Sequence, residues 1–221
     1  MKKGFTLAEV LITLGIIGVV AVLTIPTVMQ DYKNKLYVTQ LKKVYTDIQN
    51  AVETIKNEEH LDKFIDTKAA YKNSNSTKGA QYFLTNYFTS VRGSSCTGNC
   101  QNNFTGAGKA VTYESINGDT VNDGLLGSYC IQTKYSAIIC MRYNENNKVM
   151  TVDVDINGNG EPNITGKDAF VLDIDPSDDS IRDMTSNAAQ CNVQYGEYTG
   201  IASYSAGCLQ SIMENNWTIK Y

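Results

Sequence analysis

Histidine is nearly absent: His60 is the single one in 221 residues, and it sits in the charged run E-E-H-L-D-K. Hydrolases built on a serine or cysteine nucleophile need a basic partner, usually histidine, and the chain has no G-x-S-x-G elbow either. No enzymatic activity is expected. No C-x-x-C pair occurs, which together with the single histidine argues against zinc. Basic clusters are missing too. The 19 Lys and Arg face 23 Asp and Glu for a net charge of −4. Nothing in that balance would neutralise a phosphate backbone, so nucleic acid is not an expected partner. Cysteine is missing ahead of Cys96, and charge is missing throughout residues 10–29.

That uncharged run, VLITLGIIGVVAVLTIPTVM, rises about 1.5 Å per residue as a helix and so spans about 30 Å, the thickness of a bilayer's hydrocarbon core. A secretory signal would end in a small-residue cleavage site. Here the run ends in T-I-P-T and passes into a helical pattern with no A-x-A-like site, which predicts a spanning anchor. Lys2 and Lys3 before the span nearly balance Lys33 and Lys35 after it, so the positive-inside rule scarcely orients it. The cysteines do. Cys96, Cys100, Cys130, Cys140, Cys191 and Cys208 all lie on the large polar side, an even count expected to form disulfides outside the cytoplasm. Glu9, one residue before the apolar run, has two readings. It is an interfacial acid favoured by the helix macrodipole, or a functional acid at the membrane edge, where insertion costs on the order of 3 kcal/mol.

The residues around it read K-K-G-F-T-L-x-E-V, from Lys2 to Val10, and this resembles the processing signal of type IV prepilins and type II secretion pseudopilins. The resemblance implies a four-residue leader (1–4) that a membrane aspartyl peptidase removes between Gly4 and Phe5, with methylation of the new terminus. Glu9 then becomes the fifth residue of the mature chain. It also implies that Pro26 stands where the family's filament helix kinks or melts. The spacing has a physical reason. A Glu one turn from a freshly made α-amino group can meet the amine of a neighbouring helix, and pairing two buried charges selects one stagger between subunits.

Beyond the span, Tyr37, Leu41, Val44, Ile48, Ala51 or Val52, and Ile55 recur at alternating fours and threes, an amphipathic continuation of the same helix. The expected organisation is a leader at 1–4, a long helix at 5–58 whose half at 10–29 crosses the membrane, and an exported head at 59–221. Within the head, 71–78 reads as a loop, 80–91 as a short helix and 96–108 as turns. Strands are expected at 111–116, 128–133, 137–143, 149–156 and 170–174, with a hairpin turn at Lys134, Tyr135 and Ser136. A helix at 206–215 and a final strand at 217–221 would close the domain. The fold class is α+β: an antiparallel sheet laid over the second half of the long helix, the pilin-like lollipop that the resemblance implies.

Six cysteines allow fifteen pairings. Cys130 and Cys140 are symmetric about Tyr135 and able to face each other across the hairpin. Cys191 and Cys208 resemble the disulfide that bounds the C-terminal region of many pilins, which leaves Cys96 and Cys100 to pair locally. Asp153, Asp155, Asn157 and Asn159 spell D-x-D-x-N-G-N-G, the first half of a calcium loop, with Asp168 available further on. The twelfth position of such a loop falls on Ile164 and not on Glu. Calcium and a polar turn without an ion both stay open. The run from Asp155 to Phe170 also resembles the N-G-x-x-x-P-N-x-x-G-x-D-x-F segment of pseudopilin-like heads.

The expected function is therefore that of a filament subunit, in a type IV pilus or a type II secretion pseudopilus. The partners the resemblance implies are other pilins or pseudopilins, prepilin peptidase, an assembly ATPase and a platform membrane protein. The precursor would sit as a single pass in a bacterial inner membrane, and the mature form in a cell-surface or periplasmic filament. The alternative is a minor or tip pilin acting as an adhesin, using the chain's 14 tyrosines and Asn-rich loops.

Overall fold

The computed structural model describes residues 4–105, 110–145, 148–191, 193–194 and 200–221. Of the expected leader, Met1, Lys2 and Lys3 lie outside the described residues. The chain divides into two compact units, one ending at Leu36 and one of Tyr37–Tyr221.

Helix α1 (Leu7–Glu59, 53 residues) runs through the first unit and into the second. In the first unit it is exposed along its length apart from half-buried Ala21 and Asn34. Pro26 sits inside it. Proline has no N–H to donate, so one helical hydrogen bond is lost there. The helix is long and apolar enough to cross a membrane.

In the second unit α1 buries Tyr37, Val38, Leu41, Val44, Ile48, Ala51, Val52 and Ile55, the stripe that threes-and-fours spacing selects. This stripe shares one core with a six-stranded antiparallel sheet. The strands are β1 (Ser90–Ser95), β4 (Tyr129–Thr133), β5 (Ile138–Asn144), β6 (Val149–Asp155), β7 (Ala169–Ile174) and β8 (Ile181–Asp183), in the order β1-β4-β5-β6-β7-β8. Strands β4 to β7 fall where β-branched and apolar residues cluster between turn signals. The β4–β5 turn closes with the Ser136 amide donating to the Thr133 carbonyl at 3.1 Å.

Strand β6 is buried along its whole length. Side chains alternate across a sheet. Met150, Val152 and Val154 join the α1 core. Thr151, Asp153 and Asp155 therefore face the other way, where a second core covers the sheet. It contains Cys100, Phe104, Tyr113, Val121, Leu125, Ile138 and Val171, with Ile201 and Ala202 from α3 (Gly200–Ser205).

Four expectations change. The strand at 111–116 shrinks to β2 (Tyr113–Glu114), which pairs with β3 (Thr120–Val121) and makes a further bridge from Glu114 to Ile164. The short helix is α2 (Gly79–Tyr87), and the chain after it turns into the edge strand β1. Strand β8 extends the opposite edge, beyond the expected set. No strand forms at 217–221. Helix α4 (Cys208–Glu214) ends in two left-handed residues, Asn216 and Trp217, which turn the backbone away from any ladder, while Ile219 still buries its side chain.

Disulfides join Cys96 to Cys100, Cys130 to Cys140 and Cys191 to Cys208. Cys130 and Cys140 are direct cross-strand partners on β4 and β5. Asp183 on β8 caps α4 from a distance: its carboxylate accepts from the Gly207, Leu209 and Gln210 amides. Such a cap satisfies donors that a helix start leaves orphaned.

Candidate functional site

Gly4, Phe5 and Thr6 precede the first helical residue and are exposed. A Cβ built on Gly4 meets nothing within 4 Å. Phe5 is 88% exposed. The bond between Gly4 and Phe5 thus lies in accessible, non-helical backbone.

Thr6 and Glu9 lock the helix start reciprocally. The Thr6 amide and hydroxyl both donate to Glu9 Oε2 at 2.8 Å, and the Glu9 amide donates to Thr6 Oγ1 at 3.3 Å. This is a capping box, the T-x-x-E spacing that satisfies two orphan donors at once. In the separate chain, then, the Glu9 carboxylate is already held. Thr6, a residue of the same motif, is thus the partner that holds Glu9.

The five candidate calcium residues, Asp153, Asp155, Asn157, Asn159 and Asp168, are brought only partly together. Asp153 faces the guanidinium of Arg142, an ion pair, and accepts from the Leu126 amide at 2.8 Å. Asn159 donates its amide to the Phe104 carbonyl at 2.7 Å. Those two residues are thus engaged elsewhere. Asp155, Asn157 and Asp168 do meet. Asp155 Oδ1 accepts from the Asn157 and Gly158 amides at 3.1 and 2.7 Å, and its Oδ2 accepts from Gln101 Nε2 at 2.9 Å and the Tyr113 hydroxyl at 2.7 Å. Asp168 accepts from the Ile164 amide at 2.6 Å and from Asn157 Nδ2 at 3.3 Å. Gly158 is required at this turn: its φ is +68°, and a Cβ there would stand 2.1 Å from the Ser136 carbonyl.

Every one of these carboxylates is therefore engaged by protein donors. Among the described residues, the only place where three His, Cys, Asp or Glu ligand atoms come within 4.8 Å of one another is at Cys96, Cys100 and Cys130, which are all in disulfides. As placed, only Asp155, Asn157 and Asp168 of the five stand together. They form a hydrogen-bonded cluster that ties the segment carrying Gln101 and Tyr113 to the sheet. No local pattern signals this, because the donors stand 54 and 42 residues from Asp155.

The cluster has more acceptors than donors: Gln101 Oε1 and Asn157 Oδ1 are buried without a hydrogen-bond partner. A proton on a neighbouring carboxyl would supply a donor. Burial pushes Asp155 up to about 7, against the pull of its Tyr113 and Gln101 hydrogen bonds. Burial and the Asp155 charge also push Asp168 well above the carboxylate range.

A carboxyl whose folded value is raised adds stability that is present below its unfolded value, about 3.9, and lost as pH rises through the folded one. The melting temperature of the head is accordingly expected to fall between about pH 4 and pH 7. Asp155→Asn, which cannot ionise, should flatten that fall. Thermal melts across the window check this, and a wild-type curve that climbs from acid to neutral pH contradicts it.

Residues 1–25 match the family model described as the prokaryotic N-terminal methylation motif. This is the signal of type IV pilins and pseudopilins, and the chain carries it at the segment where the capping box and the apolar helix begin. The match supports a pilin-like precursor processed by prepilin peptidase and anchored by its N-terminal helix, of a structural rather than an enzymatic kind. No curated protein matches the chain, and neither does any solved structure.

Proposed function

We propose that this chain is a structural subunit of a type IV pilus-like or type II secretion pseudopilus filament. One observation carries the reading: a methylation motif opens directly onto an uncharged helical run whose apolar side chains, such as Leu11, Ile17 and Leu23, lie 61–71% exposed. Such a surface needs lipid or sister helices around it.

Cleavage between Gly4 and Phe5 removes Lys2 and Lys3 and leaves an α-amino group one turn before Glu9. In the filament the Glu9 carboxylate exchanges its Thr6 donors for the amine of a neighbouring Phe5, and that ion pair fixes the axial offset between helices. Pro26 lets the helix adjust locally as it leaves the bilayer. An assembly ATPase and a platform membrane protein drive the transfer. The disulfide-bearing head stays outside the cytoplasm, where its three cystines persist.

Mass spectrometry of the mature protein tests the reading. The expected product begins at Phe5 and carries one methyl group. Gly4→Val, which places a branched side chain at the scissile bond, should leave the leader in place. An intact wild-type N-terminus, or a cut beyond residue 25, defeats the proposal.

A further inference from the structure

Within the second unit a groove of about 720 Å³ opens between the exposed side of α1, helix α2 and the β4–β5 turn. That volume lies in the range of small-molecule sites, about 300–1,000 Å³. Its walls are aromatic and polar at once. Tyr82, Tyr87, Phe88 and Tyr135 supply the rings.

The groove's two carboxylates are held in place by tyrosines. The Tyr135 hydroxyl donates to Asp47 Oδ2 at 2.8 Å, and the Tyr87 hydroxyl donates to Glu58 Oε2 at 2.7 Å. An ionised carboxylate has about four acceptor sites, so each keeps room for further hydroxyl donors. Because they are already oriented, little ordering has to be done when a ligand arrives. Exposed amides stand on either side. Asn50 lies on α1, and Asn86 on α2 has its Nδ2 turned back to the Tyr82 carbonyl.

Charge narrows the ligand class. The groove's lysines, Lys43 and Lys134, cancel Asp47 and Glu58. Lys43 is moreover committed, 3.2 Å from Asp47 and 4.4 Å from the centre of the Tyr135 ring. No unbalanced cation is left to select an anion, and no unbalanced carboxylate to select a cation. Aromatic rings beside fixed hydroxyl acceptors match a molecule with C–H surface and many hydroxyls.

We propose that this groove binds a neutral oligosaccharide. The assignment is independent of the filament reading, since it uses only residues of the head.

The test uses the full chain in a micelle of non-glycosidic detergent, so that no sugar headgroup competes. Saturation-transfer NMR is run with maltotriose, cellotriose and chitotriose, and with sialyllactose as the acidic comparison. Transfer to at least one neutral trisaccharide is expected. Asn50→Trp, which fills the groove from an exposed position, should weaken that binding at least tenfold with an unchanged melting temperature. Asn86→Ala should weaken it several-fold. No transfer to any of the three neutral sugars, transfer to sialyllactose alone, or undiminished binding in Asn50→Trp overturns the assignment. An Asn50→Trp chain that binds sugar like wild type yet fails to enter filaments would give the groove to a second copy of the chain instead.

Discussion

A Glu9→Ala chain is expected to lose its leader normally and to be missing from filaments. The Gly4–Phe5 bond proposed for cleavage lies in exposed backbone ahead of the helix, so cleavage should not depend on the residue-9 side chain. Insertion should not suffer either, because removing an acid from the membrane edge spares up to about 3 kcal/mol. Assembly is different. Leaving one partner of a buried ion pair without the other costs about 3–5 kcal/mol, and each 1.4 kcal/mol is tenfold. Incorporation should fall at least about 100-fold, read as sheared filaments against total membrane protein.

Alanine also removes the capping box with Thr6, worth about 0.5–2 kcal/mol, so a second variant is needed. Glu9→Gln separates the two effects. Glutamine still accepts from Thr6, since capping boxes take Gln as readily as Glu, but it carries no charge. If the charge fixes the stagger, Glu9→Gln fails as Glu9→Ala does. Normal filaments from Glu9→Gln would leave only the cap as the role of residue 9.

What was legible in the sequence follows from the range of the interactions. The buried stripe of α1 is set by neighbours three and four residues apart, and Tyr37 to Ile55 could be read off directly. Strands β4 to β7 announce themselves through alternation and a tight turn. Strand β1 does not. Its sequence S-V-R-G-S-S has no apolar period, and it is a strand only because β4 offers it an edge some forty residues further on, as in the pairing of Arg92 with Gln132. The second core escaped for the same reason: Phe104, Tyr113 and Leu125 come from a stretch rich in turn formers.

The acidic run shows how little of a buried cluster a local pattern carries. D-x-D-x-N-G suits a cation loop when only the next few residues are considered. The folded chain brings Arg142 to Asp153, and Gln101 and Tyr113 to Asp155, contacts that no local pattern foretells. The Thr6–Glu9 box was readable from spacing alone, yet the processing motif overlaps it on the same residues.

Ile48→Asp should unfold the head while leaving the anchor and its processing untouched. Ile48 is 1% exposed, midway along the stripe between Leu41 and Ile55, and it belongs to the core shared with the sheet. Losing the side chain costs about 2–5 kcal/mol, and a carboxylate placed there without a partner adds several more. Domains of this kind are stable by only about 5–15 kcal/mol, and at their size each kcal/mol moves the melting temperature by about 2–4 °C. A drop of at least about 10–20 °C, or failure to accumulate, is expected. Asn50→Asp, two residues on and exposed, adds the same charge to the same helix and should change stability by no more than about 0.5 kcal/mol. The contrast isolates burial from charge and from helix propensity. Leader removal depends on the residues around Gly4, so the Ile48→Asp chain should still be cut to Phe5 in the membrane even as its head is degraded. A variant that melts within about 2 °C of the wild type would mean that α1 does not rest on the sheet through this stripe.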